Sequence, residues 1–113
     1  MNEFMLLFRY SSFEINQMSP QEFEALTNKW KEWIGKLMAQ GALITTGSRL
    51  THEGKVVKPD GVIIDGPFVE IKERLGGFLI LKAHNLDEAT ALAHGCPTLD
   101  MQGSVEIRPI LQV

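Results

Sequence analysis

The stretch Ser19–Gly41, SPQEFEALTNKWKEWIGKLMAQG, decides how the rest of the chain is read. Ser19 can cap a helix, Pro20 suits the first helical position, and Glu22 stands where a capping box needs an acid. Behind them Phe23, Leu26, Trp30, Ile34, Leu37 and Met38 recur at three- and four-residue intervals, which predicts one apolar helical face. Gly41 suits a left-handed C-terminal cap. One long amphipathic helix is therefore fixed between residues 19 and 41, and it needs a layer to cover.

That layer is read outward from the helix. Upstream, FMLLFRY (Phe4–Tyr10) predicts a strand with apolar side chains on both faces. Downstream, ALITTGSRLT (Ala42–Thr51) predicts a second strand and HEGK a turn. The apolar runs VVK and VIID flank Pro59-Asp60-Gly61, a hairpin signal because Asp and Gly tolerate positive φ. GFLILKAH (Gly77–His84) predicts the next strand. A second helix is expected from Asn85, with Glu88 placed for another capping box and Leu86, Ala89, Leu92 and Ala93 inward, ending at His94-Gly95 before Pro97. GSVEIRPILQV closes the chain as a last strand. The order is βαββαβ with an inserted hairpin, an α+β, ferredoxin-like plan with two helices on one face of an antiparallel sheet. Helices on one face leave the other uncovered, yet Phe4–Phe8 and FLIL are apolar on both. A second copy packed face to face would cover it, so a homodimer forming an α/β barrel is expected.

The whole chain sets the outer bounds. Its 113 residues suit one domain, 1–113, with a single core. A net charge of -3 speaks against a nucleic-acid partner. A single cysteine, Cys96, allows no internal disulfide and no cysteine-pair metal site, which fits a reducing compartment. No apolar run reaches membrane-spanning length, and the start carries an acid where a secretory leader carries a base. A cytoplasmic protein with no membrane partner, metal or cofactor is expected.

IIDGPFVEIKERLGG (Ile63–Gly77) holds the first candidate site. Asp65 can anchor an Asx-turn, Gly66 and Pro67 shape the bend, and Phe68 can pin the loop to apolar surface. Glu70, Lys72 and Glu73 follow, and Gly76-Gly77 let the backbone pass close to a neighbour. The stretch reads either as a rigid connection with solvated charges or as a pocket loop of Gly66, Pro67, Phe68 and Glu70. In the second reading Asp65, with Glu70 or Glu73, carries a proton at a cavity mouth.

DGPFVEIKERLGGF resembles the signature of DGPF-domain proteins within the YciI-related family, and FMLLFRY and GSVEIRPI are similar to that family's ends. The resemblance spans nearly the whole chain. It implies a ferredoxin-like protomer in a dimeric α/β barrel, and a superfamily of varied chemistry that includes isomerases, monooxygenases and haem enzymes. In some members it implies a histidine–aspartate pair with the histidine on the first helix. Ser19–Gln40 contains no histidine, so that pair is not carried over, and Asp65 loses support as a base. The association of DGPF-type proteins with sigma factors implies a regulatory alternative.

Strand alternation supplies a second candidate site. Val105, Ile107 and Leu111 are expected toward the helices, which turns Glu106 and Arg108 to the other face. Arg9 alternates with Phe8 and Tyr10, Lys82 shares a face with His84, and Arg49 joins from the second strand. If these faces coincide, Arg9, Arg49, Lys82, His84 and Arg108 surround Glu106, a cationic hollow for a small anionic ligand. The alternative is a structural bridge from Glu106 to Arg9 or Arg108. Of the remaining polar groups, His52 reads as solvated, His94 as a helix-end residue, and Cys96 as a packed thiol. Trp30 and Trp33 both read as core, with Trp33 lining a pocket or a contact between subunits as the alternative. The sequence thus favours a small-molecule-binding protein, which includes an isomerase-like or acid–base enzyme acting on a small anion. A non-enzymatic regulatory or interaction module tied to a sigma-factor or stress pathway is the alternative.

Overall fold

A computed structural model describes residues 1–10, 17–51, 53–66 and 75–112. Strand β1 (Asn2–Arg9) leads to helix α1 (Pro20–Ala39) and strand β2 (Leu43–Thr45). A hairpin of β3 (Gly54–Val57) and β4 (Ile63–Gly66) follows, then β5 (Leu75–Ala83), α2 (Leu86–Ala93), a 3-10 turn at Pro97–Met101, and β6 (Ser104–Pro109). The main sheet has the order β2-β5-β1-β6, with every neighbouring pair antiparallel. This is the ferredoxin-like arrangement, with β3 and β4 paired to each other as the inserted hairpin.

Local chemistry fixes the ends of α1. The Glu22 N–H donates to Ser19 Oγ at 3.1 Å and the Ser19 N–H donates to Glu22 Oε1 at 3.2 Å, so two orphan donors are satisfied reciprocally. At the other end Gly41 takes a left-handed conformation. Its N–H donates to the Met38 carbonyl, and the Ala42 N–H donates to the Leu37 carbonyl, a Schellman pair. At the start of α2 Asn85 Oδ1 accepts from the Glu88 N–H at 2.8 Å, one half of the expected capping box.

The core lies between the helices and one sheet face. Phe4, Leu6 and Phe8 of β1 and Leu79, Leu81 and Ala83 of β5 meet Trp33 and Leu37 of α1 and Ala89 and Ala93 of α2, and Leu26 of α1 is also buried. The buried stripe of α1 is centred on Leu26, Trp33 and Leu37, with Trp30 and Ile34 half-buried beside it. Phe23 and Met38, expected inward, are exposed. At about 100° per residue Met38 lies a third of a turn from the centre of that stripe. Trp33 is the core tryptophan, and its indole N–H donates to the Leu92 carbonyl at 3.0 Å.

Three expected strand features differ. The second strand is short, Leu43–Thr45, its register with β5 shifts between those two residues, and the chain returns to β5 at a bridge between Arg49 and Gly77. Leu111 lies beyond the end of β6 and is exposed rather than turned to the helices. In the hairpin turn only Gly61 has positive φ. Pro59 fixes a right-handed first turn position instead, the Gly61 N–H donates to the Lys58 carbonyl, and the Asp60 carboxylate accepts from the Val62 N–H at 3.0 Å.

Candidate functional site

The two candidate clusters lie on different elements, and a third place in the fold forms a pocket. On the sheet face away from the helices, Met5, Leu7, Phe78 and Ile80 form a half-exposed apolar centre. Leu7 is flanked in register by Phe78 and Glu106, and Met5 by Ile80 and Arg108. At its β6 side Glu106 bridges two cations. Arg9 Nη2 donates to Glu106 Oε1 at 3.2 Å and Arg108 Nη1 to Glu106 Oε2 at 3.2 Å. The hydrogen bond from Arg108, then that from Arg9, holds the Glu106 carboxyl below the usual glutamate range. Alternation along β1 and β6 brings these three side chains together, as expected from the sequence. Lys82 stands opposite Glu3, and His84 is exposed beyond the strand end.

Asp65 lies on the hairpin. Its side chain is 90% exposed and accepts from Lys55 Nζ at 2.8 Å, the cross-strand partner in the β3–β4 register. Gly66 pairs with Gly54 at the base of the hairpin. Pro67, Phe68 and Glu70, with Lys72 and Glu73, lie outside the described residues, as does His52.

Arg49 is separated from Arg9, Glu106 and Arg108 and lines a pocket on the helix side, of about 310 Å³. Four segments build it. Phe8 and Tyr10 come from the end of β1, and Thr27, Trp30 and Ile34 from α1. Thr46 to Arg49 come from the chain after β2, and Gly76 to Leu79 from the start of β5. Phe8 meets Trp30 edge to face at 5.1 Å and 83°, which holds the indole upright in the wall.

The loop that carries Arg49 is tied to β5. The Phe78 N–H donates to the Ser48 carbonyl at 3.2 Å and the Leu50 N–H to the Gly76 carbonyl at 2.9 Å. Gly47 makes the approach possible: its φ is +62°, and a Cβ there would overlap the Phe78 carbonyl oxygen. Gly76 admits the Tyr10 ring, since a Cβ would stand 2.5 Å from its Cε1 and Cζ. The Tyr10 hydroxyl is 3.4 Å from the Gly76 carbonyl, a long contact. Thr27 Oγ1 donates to the Phe23 carbonyl at 3.0 Å and keeps its lone pairs for a ligand donor.

Among the described lining residues Arg49 is the only charged one, beside four hydroxyls and a wall of rings and aliphatics. Such a surface binds a small organic anion by burying its carbon skeleton and pairing its charge. The sequence groups Arg49 with Arg9, Glu106 and Arg108, and it gives Tyr10, Thr27 and Trp30 no place in a lining. The usable signal was the glycine pair Gly76-Gly77, which marks close approach without saying what approaches.

Elsewhere Cys96 is buried, and burial pushes its thiol up, only partly offset by hydrogen bonding to Thr98. Among the described residues no cluster of histidine, cysteine and carboxylate side chains is close enough to hold a metal ion. Nor is any described helix long and apolar enough to cross a membrane.

A four-stranded antiparallel sheet with two helices on one face, an inserted hairpin and a pocket at the α1–β5 edge defines a ferredoxin-like α+β protein. The sequence model of the YCII-related domain matches residues 4–113, and the chain belongs to that family. An uncharacterized protein of Rhizobium meliloti (strain 1021) is 31% identical over 102 residues, covering 88% of this chain and 78% of that one. Among solved structures, the 5-chloro-2-hydroxyhydroquinone dehydrochlorinase of Burkholderia phenoliruptrix AC1100, in complex with 2,5-dihydroxybenzoquinone, aligns with a TM-score of 0.48 and 14% identity. That alignment covers 97% of this chain and 95% of that chain.

Proposed function

We propose that the protein binds a small organic anion in the pocket between α1, the Thr46–Arg49 segment and the start of β5. The observation that carries this reading is a lining of aromatic and aliphatic side chains with Arg49 as its one charge among the described residues. Arg49 replaces Arg9 and Arg108 as the anion-holding cation, because Glu106 is already bridged by both of those. If the protein acts on its ligand, the Tyr10 hydroxyl is the proton-carrying group nearest to hand in that lining. Asp65, solvent-exposed and bound to Lys55, is read as a partner of the hairpin rather than a proton carrier.

Two copies pair through the apolar centre of the open sheet face, with the Arg9–Glu106–Arg108 bridge at its margin. Half-exposed Met5, Leu7, Phe78 and Ile80 support this, since the helices cover only the opposite face. A Leu7→Glu variant should then run as a monomer in native mass spectrometry; an unchanged dimer would place the contact elsewhere.

The test of the ligand is native mass spectrometry of protein purified gently from its own cells. A co-purified small anion lost in Arg49→Ala, but retained in Arg108→Ala, supports the pocket. Retention in Arg49→Ala and loss in Arg108→Ala would return the site to the sheet face. One observation favours the interaction-module reading: Val57, Val62 and Ile63 of the hairpin are half or more exposed, an apolar surface for another protein. Hairpin substitutions that abolish a biological effect while ligand binding is intact would support that reading.

A further inference from the structure

We propose that the β3–β4 hairpin is a second contact between copies of this chain, made through one face of the ribbon and independent of both the ligand and the open sheet face. In register, Lys55 stands opposite Asp65 and Val57 opposite Ile63. Alternation therefore puts these four side chains on one face and Val56 and Ile64 on the other. The first face is the barer one: Val57 is 70% and Ile63 60% exposed, whereas Val56 is half-buried. β3 and β4 form their own two-stranded sheet, and such a ribbon is marginal in water without further cover.

The charge pattern of that face says what covers it. Its two cross-strand rows are an ion pair, Lys55 Nζ to Asp65 Oδ1 at 2.8 Å, and an apolar pair, Val57 and Ile63. A two-fold axis running parallel to the strands and between them keeps each row at its own level and exchanges its two ends. Lys55 then faces the partner's Asp65, Asp65 faces the partner's Lys55, and Val57 faces the partner's Ile63. Each carboxylate gains a second ammonium, and the apolar pairs close on each other. A two-fold running across the strands instead sets Lys55 either on the apolar row or on the partner's Lys55, and both cost energy. The face is thus complementary to itself in one orientation, which is what an isologous contact requires. Four side chains from each copy bury less than the ~800 Å² per partner of a standard interface, so the contact is weak and forms at high protein concentration.

The experiment is sedimentation equilibrium of wild-type protein from about 10 μM to about 1 mM, the range of weak contacts. The average mass should climb towards at least twice that of the smallest unit, whether that unit is a monomer or a sheet-face dimer. Lys55→Asp and Asp65→Lys should each hold the protein at the smallest unit, because like charges then meet across the axis. An equal mixture of the two variants should restore the climb, since an all-acidic face then meets an all-basic one. The double exchange Lys55→Asp/Asp65→Lys should restore it alone. Both side chains are exposed, so circular dichroism should find every variant folded. Leu7→Glu, which reads the sheet face, should leave the climb in place, so the two contacts fail separately. A wild-type mass that stays flat to about 1 mM would overturn the self-contact and leave the hairpin to another protein. Single variants that associate like wild type, or a mixture that stays at the smallest unit, would overturn the pairing of Lys55 with the partner's Asp65.

Discussion

Replacing Gly47 with alanine should unfold the protein far more easily than its half-buried loop position implies. The residue has φ +62°, and a Cβ there would overlap the carbonyl oxygen of Phe78, which is backbone in a central strand and cannot swing away. Left-handed geometry alone costs an L-residue about 1–2 kcal/mol. Relieving the overlap moves the segment off β5 and weakens two hydrogen bonds, Phe78 N–H to the Ser48 carbonyl and Leu50 N–H to the Gly76 carbonyl. At about 1 kcal/mol each, they bring the total to roughly 3 kcal/mol. A fold of this size has about 5–15 kcal/mol in all, so the midpoint should fall by roughly 15 °C. Gly35→Ala is the internal control. Gly35 lies mid-helix with nothing within 4 Å of an added Cβ, so the change should raise stability by up to about 1 kcal/mol. Urea and thermal denaturation, each followed by tryptophan fluorescence, read both variants. A Gly47→Ala protein within about 1 kcal/mol of wild type would refute the tight approach of this segment to β5, and with it the placement of Arg49 in the pocket wall.

Other outcomes test separate parts of the structure. Ser19→Ala removes one half of a complete capping box and should cost about 1 kcal/mol in urea denaturation; no loss would mean the cap is not formed in solution. Cys96 should resist a thiol-specific reagent at neutral pH in the native state and react fully in denaturant, because burial both shields the thiol and raises it; fast native labelling would contradict its packing. Glu106 is held below the ordinary glutamate range in the folded state. The stability it contributes is therefore present above the unfolded pKa and lost as pH falls through the lowered folded value. The gap in denaturation midpoint between wild type and Glu106→Gln should accordingly close on going from neutral pH to about pH 3. A constant gap would show that the two arginines do not bind its charged form. Asp65→Asn should leave the midpoint unchanged, since its bond to Lys55 is solvent-exposed; marked destabilisation would instead make Asp65 the anchor of its turn.

What the sequence carried was local chemistry and period. Ser19, Pro20, Glu22 and Gly41 bounded α1 because each acts on backbone groups within a few residues of itself. Pro59-Asp60-Gly61 located the hairpin for the same reason, and the period of two along β1 and β6 put Arg9, Glu106 and Arg108 on one face. Periodicity was weaker where two candidate stripes overlap. It grouped Phe23 and Met38 with the core of α1, and only the packed fold showed that Leu26, Trp33 and Leu37 are the buried positions. The pocket lay beyond local reading altogether. Its walls come from residues as distant in sequence as Phe8 and Leu79, and they meet because antiparallel pairing sets β5 beside β1. Arg49 parted from Arg9 for a related reason. A register shift after Leu43 and a glycine with positive φ at position 47 carry the chain to the helix side, and neither event has a sequence period to announce it. Capping and alternation are short-range and survive in one dimension; which side chains share a cavity is decided by strand register and close backbone approach, which exist only once the chain has folded.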